Sequence, residues 1–379
     1  MAGEVLSDNE IKKLIKGGAI IGADNKLVNP ASLDLRITKH SWRLLGSVLP
    51  LEKQKIKDII DNSGAVDTPH EGEGGKGFYI ERSQPYLFKL KESLKLPQNI
   101  SARFFNKSGR GRIGTSVKGL CDGVPRFDTI PLGYSGDLYA EICATAFPEV
   151  LRSEETAMPQ IRFYRGHPEP IKEEDLELLL RKDPILLDKN NKPIKFEGKR
   201  LERLTRTGKI TFTADLSKEL CYYRAKKDSK TIDLSKKGYY DPEDFFEEVN
   251  IGQGKKTVII HPEEFVLMFP KEKIRLPPTL AAEISDYSSD IGDIKVHYAG
   301  LMNPGHGYHP EEMRGDYIAF EIRARDIPIV IQDGQELARF ELFKMSKKPE
   351  IEYREVQSTG YDTLFSILPK QFNKEKKDK

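Results

Sequence analysis

The chain has 379 residues, enough for two domains with cores of their own. Its 61 Lys and Arg balance 59 Asp and Glu, which offers no broad basic surface for nucleic acid, and no apolar run approaches a membrane span. Three cysteines, Cys121, Cys143 and Cys221, stand far apart with no CxxC, which excludes a disulfide framework and a cysteine-rich zinc site and fits a reducing compartment.

The first twelve residues carry acids and no apolar h-region, so a signal peptide is not expected and a cytoplasmic location is. Ser7 and Glu10 form a capping box, Ile11, Leu14 and Ile15 one apolar face, and Gly17-Gly18 a stop; together they predict a short helix. Ala31 to Ile37 alternates apolar and polar residues as a half-buried strand does. Asp61 to Lys76, rich in glycine and charge, reads as a loop. The sequence then repeats itself at an offset of 180. Tyr86 to Pro97 with Ile100-Ser-Ala-Arg-Phe104 matches Val266 to Pro277 with Leu280-Ala-Ala-Glu-Ile284, so that Glu92 falls on Glu272 and Ser108 on Ser288. Gly136 to Ile142 resembles Gly315 to Ile322 and puts Glu141 on Glu321. Between the copies, Ile171 to Lys182 is a predicted helix, Asn190 to Pro193 a turn, and Lys209 to Leu216 the opening strand of the second copy. The basic end, Lys370 to Lys379, reads as a frayed, solvated tail. These elements predict a mainly β chain of two tandem barrel or jelly-roll modules with short peripheral helices. The first module spans 1–165, a linking segment with a helix 166–208, and the second module with the tail 209–379.

Chemistry is expected at three places. Ile318, Phe320 and Ile322 line one face of a strand and Glu321 points the other way; a carboxylate in such an apolar wall has the raised pKa that a general acid and base needs near neutral pH. Glu141 recurs at the matching position, and the sequence leaves the choice between the two open. Asn106-Lys-Ser-Gly-Arg-Gly-Arg-Ile-Gly114 joins two close-approach glycines to Lys107, Ser108, Arg110 and Arg112, a set suited to a polyphosphate, although the P-loop order is absent. The second copy carries acids in this loop, so the first is the better clamp. Of the loops that carry Arg126 and Asp128 in one copy and His297, Tyr298, Ala299 and Asn303 in the other, Asp128 or Asn303 could hydrogen-bond a sugar hydroxyl and an aromatic could pack on its C2; both are also ordinary turn compositions. Three His-Pro-Glu triplets, at His167, His261 and His309, match half of the zinc deaminase signature, but none is followed by PCxxC, so no zinc site and no protein-bound metal are expected.

Asn29 to Arg36, Lys107 to Arg112, Val296 to Gly300 with Asn303 to Gly305, and the Glu141 and Glu321 strands resemble dCTP deaminase in its long, two-module bacterial form. The likeness runs from Leu6 to Phe372, and Tyr361 to Phe372 is similar to the family's closing C-terminal segment. The resemblance implies a dUTPase-like β fold, a homo-oligomer with a trimer favoured, and hydrolysis of dCTP to dUTP and ammonia. It implies Mg²⁺ carried by the triphosphate, with no zinc. It also implies that Glu321 or Glu141 activates the attacking water, that Ser108 and Arg112 hold phosphate, that Arg126 and Asp128 match an Arg-x-Asp element, and that His297 to Gly300 meet the base. A composite site follows, in which the first copy clamps phosphate while Ala299 to Asn303 and Glu321 of the second handle the base. A dUTP pyrophosphatase, a chain with both activities, and a nucleotide binder without turnover are the competing readings.

Overall fold

The computed structural model describes residues 3–68, 77–153, 156–217, 220–252, 254–285, 294–296, 300–351, 353 and 367–373. The expected first helix is present as Asp8–Lys16: the Ser7 amide donates to the Glu10 carboxylate at 3.1 Å, Ile11 turns into the core, and Gly17 ends it. It lies against one antiparallel sheet whose strands run, edge to edge, Thr129–Ile130, Ile100–Asn106, Ala157–Arg165, Ser32–Arg43, Pro85–Lys95, Ser135–Ala144 and Thr115–Cys121. The two ends of this order meet. A Cβ on Gly119 would stand 2.0 Å from the Phe104 ring, so only glycine lets the last strand lie on the second, and the sheet curls into a barrel.

The second half repeats the plan. Leu87 pairs with Glu141 in the first half and Leu267 with Glu321 in the second, an offset of 180 at both partners. Most strands in the second half form one sheet of Ile210–Thr213, Glu336–Lys344, Leu280–Ile284 and Leu301–Met302, and another of Phe246–Val249, Tyr222–Ala225, Val266–Met268, Phe320–Ala324 and Ile294–Val296; Leu186–Leu187 with Lys273–Ile274, and Thr257–Ile260 with Ile329–Gln332, form two smaller ones. Even the buried acids keep their work: Glu92 accepts from the Arg36 amide at 2.8 Å, and Glu272 from the Thr213 amide at 2.8 Å. The segment 166–208 does not stand apart as a link. Its helix Glu173–Lys182 is the counterpart of Asp8–Lys16, entered by Ile171 donating to Leu342 as Leu6 donates to Phe163, and Leu176, Leu180 and Leu204 join the second core.

The halves also differ in an insertion. In the first, Leu44 to Ala65 folds back across the sheet, and within it Ile56–Asn62 forms a helix where the sequence reads as approaching a loop; apolar spacing at Ile56 and Ile60, buried on Leu44, Leu87, Leu120 and Tyr139, makes the difference. In the second half the corresponding insertion turns away, and its Ile232–Asp233 pairs in parallel with Glu149–Leu151 of the first half.

The halves are fastened by a buried ion pair. Arg162 and Glu283 are both shielded from solvent, with Nη1 donating to Oε1 at 2.9 Å. The remaining donors of Arg162 reach the carbonyls of Ala31 (3.3 Å), Ala282 (3.1 Å) and Met302 (2.8 Å). Arg103 adds a contact to Glu283 at 3.3 Å, and the Tyr164 hydroxyl donates to the same carboxylate. Removing one partner of such a pair strands the other charge. Glu283→Ala is expected to cost about 3–5 kcal/mol in urea denaturation; a loss below about 1 kcal/mol would show that the pair does not hold the halves.

Candidate functional site

Glu141 and Glu321 occupy one register in two different surroundings. Glu141 lies under the Leu44 to Ala65 insertion. The Ser47 hydroxyl donates to its two oxygens at 2.7 and 2.9 Å, the Val48 amide donates at 3.0 Å, and Lys118 Nζ lies 3.6 Å away. Arg126 and Asp128 belong to this capped side. Arg126 is exposed, Phe127 packs against the insertion, and the Asp128 carboxylate accepts from the Gly119 amide at 2.6 Å, fixing its own turn at φ 59°. One carboxylate oxygen of Asp128 thus holds the turn that closes the first barrel.

Glu321 is 2% exposed and stands on the opposite kind of face. Phe320 and Ile322 point into the second core, so Glu321 shares its side of the sheet with its partner Leu267 and with Tyr223 beyond it. Leu267, Tyr223, Tyr317 and Ala319 join the core of the first half, together with Ile367, Leu368 and Phe372 near the C-terminus. The Glu321 face is thus turned toward the first half and the tail. His297, Tyr298 and Ala299 lie outside the described residues; the strand leading to them pairs directly with the Glu321 strand, Val296 against Ile322. The turn that follows brings Asn303 and His306 together, the His306 amide donating to the Asn303 carbonyl at 3.2 Å. Asn303 Oδ1 and His306 Nε2 have no hydrogen-bond partner among the described residues. Burial holds the His306 imidazole down to about 4, so it is neutral near pH 7 and tolerates Arg112 as a neighbour.

The basic loop forms one helical turn, Ser108–Gly111, closed by Gly114 at φ 82°; a Cβ there would stand 2.5 Å from that of Ala146. Lys107 is paired with Asp34. Arg110 and Arg112 are both folded in, and Arg112 donates to the Ser108 carbonyl at 3.2 Å and to the Ile367 carbonyl at 2.7 Å. Through Arg112 and His306 the first half's loop therefore meets the second half's turn. The end of the chain is not frayed at Lys370. Ile367, Leu368, Gln371 and Phe372 are buried, the Gly238 and Tyr239 amides hold the Lys370 and Gln371 carbonyls at 2.9 Å, and Phe372 packs on Phe245 and Phe246. Lys370 keeps its tip in solvent, yet partial burial and then repulsion from Arg110, Lys107 and Lys237 bring its amine down to about 8. Four cations thus gather here, among which Lys237 and Lys370 were not legible as partners; the apolar residues flanking Lys370 are the signal that the tail is anchored. A separate cavity of about 510 Å³, lined by Gln98, Asn99, Arg165 and His167, includes none of the candidate residues.

Comparison with known proteins agrees with this geometry. Residues 2–167 match the family model of the 2'-deoxycytidine 5'-triphosphate deaminase N-terminal domain, and residues 173–372 that of the C-terminal domain. The chain is 30% identical over 135 residues to a protein of Corynebacterium glutamicum (strain R) named dCTP deaminase, dUMP-forming, covering 35% of this chain and 66% of that one. It is 31% identical over 123 residues to a protein of the same name from Dictyoglomus thermophilum, covering 30% of this chain and 58% of that one. It thus spans about two thirds or less of these curated relatives. The crystal structure of 2'-deoxycytidine 5'-triphosphate deaminase from Agrobacterium tumefaciens superposes with a TM-score of 0.79 at 29% identity, over 92% of this chain and 100% of that one. With both halves matched in order and the mainly β fold shared throughout, the chain belongs to the 2'-deoxycytidine 5'-triphosphate deaminase family.

Proposed function

We propose that the chain hydrolyses dCTP to dUTP and ammonia at one site per chain, built from both halves. The observation that carries this reading is the contrast between two glutamates at one register: Glu141 is capped by Ser47 and Val48, whereas the face of Glu321 is turned toward the basic loop, the tail and the 303–306 turn. Glu321 takes a proton from water as the oxygen attacks C4, then passes it to the amine; one C–O bond forms, the C–N bond breaks, and ammonia leaves. Lys107, Ser108, Arg110 and Arg112, with Lys370, hold the triphosphate. Asn303 and residues 297–299 hold sugar and base. The charged donors of the clamp are cations and Asp34 is committed to Lys107, a set that suits phosphate oxygens and offers no carboxylate cage for a bare divalent ion. Mg²⁺ in this reading is held by the triphosphate, whose charge it screens, and zinc plays no part. The shared register supports taking the halves as copies of one ancestral module. The reading further includes a cytoplasmic protein with no nucleic-acid partner, assembled as a homo-oligomer with a trimer favoured.

The relatives named dUMP-forming favour one extension, in which dUTP is hydrolysed onward to dUMP and pyrophosphate. Product analysis separates the cases: pyrophosphate appearing with ammonia indicates both steps, and pyrophosphate without ammonia would replace the deaminase by a pyrophosphatase.

Glu321→Gln is expected to lower ammonia release from dCTP by about 10²–10⁴-fold while dCTP still binds, the usual worth of a positioned acid and base. Glu141→Gln is expected to act on thermal stability and leave turnover near wild type. The reverse pattern would move the chemistry to the first half. Arg112→Ala is expected to weaken dCTP binding by about 10–100-fold in calorimetry, as loss of a charged hydrogen-bond donor does; unchanged affinity would place the phosphate elsewhere.

A further inference from the structure

Behind the basic loop stands a carboxylate that the proposed reaction does not use. Glu149 is fully buried on the strand Glu149–Leu151, which is held between Phe78–Ile80 and, from the second half, Ile232–Asp233. One oxygen accepts from the Thr115 hydroxyl at 2.5 Å; the other, Oε2, has no hydrogen-bond partner among the described residues. Nη1 of the buried Arg110 likewise has none. The buried carboxyl and the buried guanidinium act on each other electrostatically, each has one group unspent, and an unmet buried polar atom is costly enough to need a reason.

The surrounding charges supply one. Arg110 feels Glu149 and Asp34, and Lys107, Lys237 and Lys370 crowd the same region. Asp34 is already paired with Lys107, and on the flanking strand Asp233 is paired with Arg152 at 2.7 Å. Among the described residues that leaves Glu149 as the carboxylate acting on Arg110 with no cation paired to it. We infer that Glu149 is a positioning residue of the anion clamp: it serves Arg110 as counter-ion while the site is empty and takes up a proton when a nucleotide triphosphate replaces it. This rests on the assignment of the loop as the phosphate clamp. Several negative charges arriving beside a dry carboxylate disfavour its ionised form, and Arg110 then turns its spare donor to the incoming phosphate. Burial already pushes the Glu149 carboxyl up to about 7, so the exchange falls in the physiological range. The sign is fixed by the proton taken up: above about pH 7 the empty site holds Glu149 ionised, binding must protonate it, and affinity falls as pH rises, by at most tenfold per pH unit for one proton.

The test is calorimetry of the full chain at pH 7.5 in two buffers of different ionisation enthalpy, with Mg·dCTP and, separately, inorganic triphosphate. Wild type is expected to take up more protons than Glu149→Gln, by up to one per site, and to lose affinity more steeply toward pH 8.5; Lys370, shared by both proteins, cancels in the comparison. The glutamine keeps an acceptor for Thr115, and difference infrared spectroscopy of the wild type adds a readout that needs no variant: a protonated-carboxyl band must appear on binding. Equal proton counts in the two proteins, no such band, or no binding of either anion would overturn the role of Glu149. Proton uptake with inorganic triphosphate but no ammonia from dCTP would leave this inference standing and remove the deaminase reading. Ammonia release with equal proton counts would do the opposite.

Discussion

The position of every candidate residue depends on the buried contact of Arg162 with Glu283. Burying two charges costs several kcal/mol apiece, and only complete hydrogen bonding with good geometry offsets it. Arg162 meets that condition, with donors placed on one carboxylate and three carbonyls drawn from both halves. The charges around it are divided by half. Arg103 lies directly opposite Arg162 in the first sheet, and Glu283 directly opposite Glu341 in the second. Like charges facing each other across a strand pair weaken each sheet taken alone. Glu341 is met within its own half by Lys209 at 3.0 Å, so it is Glu283 that Arg103 and Arg162 reach across the boundary. Because the contact fixes how the barrels sit, it also fixes the basic loop of one relative to the glutamate face of the other.

Two halves with one register need not do the same work. The pairing of Leu87 with Glu141 and of Leu267 with Glu321 is the same device twice, yet the insertion closes over the first and turns away from the second. The first glutamate is packed over, and the arm of the second half reaches across to brace the strand of Glu149 and to receive the C-terminal residues. The asymmetry gives one register two surroundings, a capped glutamate in the first half and, in the second, a glutamate turned toward the other half.

The repeat, the mainly β class, the first helix and the basic loop were legible because each rests on short-range pattern: constant offset, period-two alternation, a capping box, glycines among cations. The distinction between the glutamates was not. It depends on Ser47 and Val48 meeting Glu141 across more than ninety positions of chain, from a segment whose composition suggests only a connection. The contact of Asp128 with the Gly119 amide was hidden for a related reason, since it joins a loop to a strand nine positions away. Glu149 sits in no motif, and its burial follows from a strand contributed by the other half. One signal was present and passed over: the aligned segments Ile100 to Phe104 and Leu280 to Ile284 differ by Arg103 against Glu283, an inversion of charge at one position, which two surfaces made to face each other would carry.

The division of charge has a consequence during synthesis. Arg162 and Glu283 are 121 residues apart, and at about 5–20 residues per second the first barrel waits on the order of ten seconds for its counter-charge to be made. Through that interval Arg103 and Arg162, neighbours across one strand pair, have yet to meet Glu283, and the acid that settles both is the last of the three to be made.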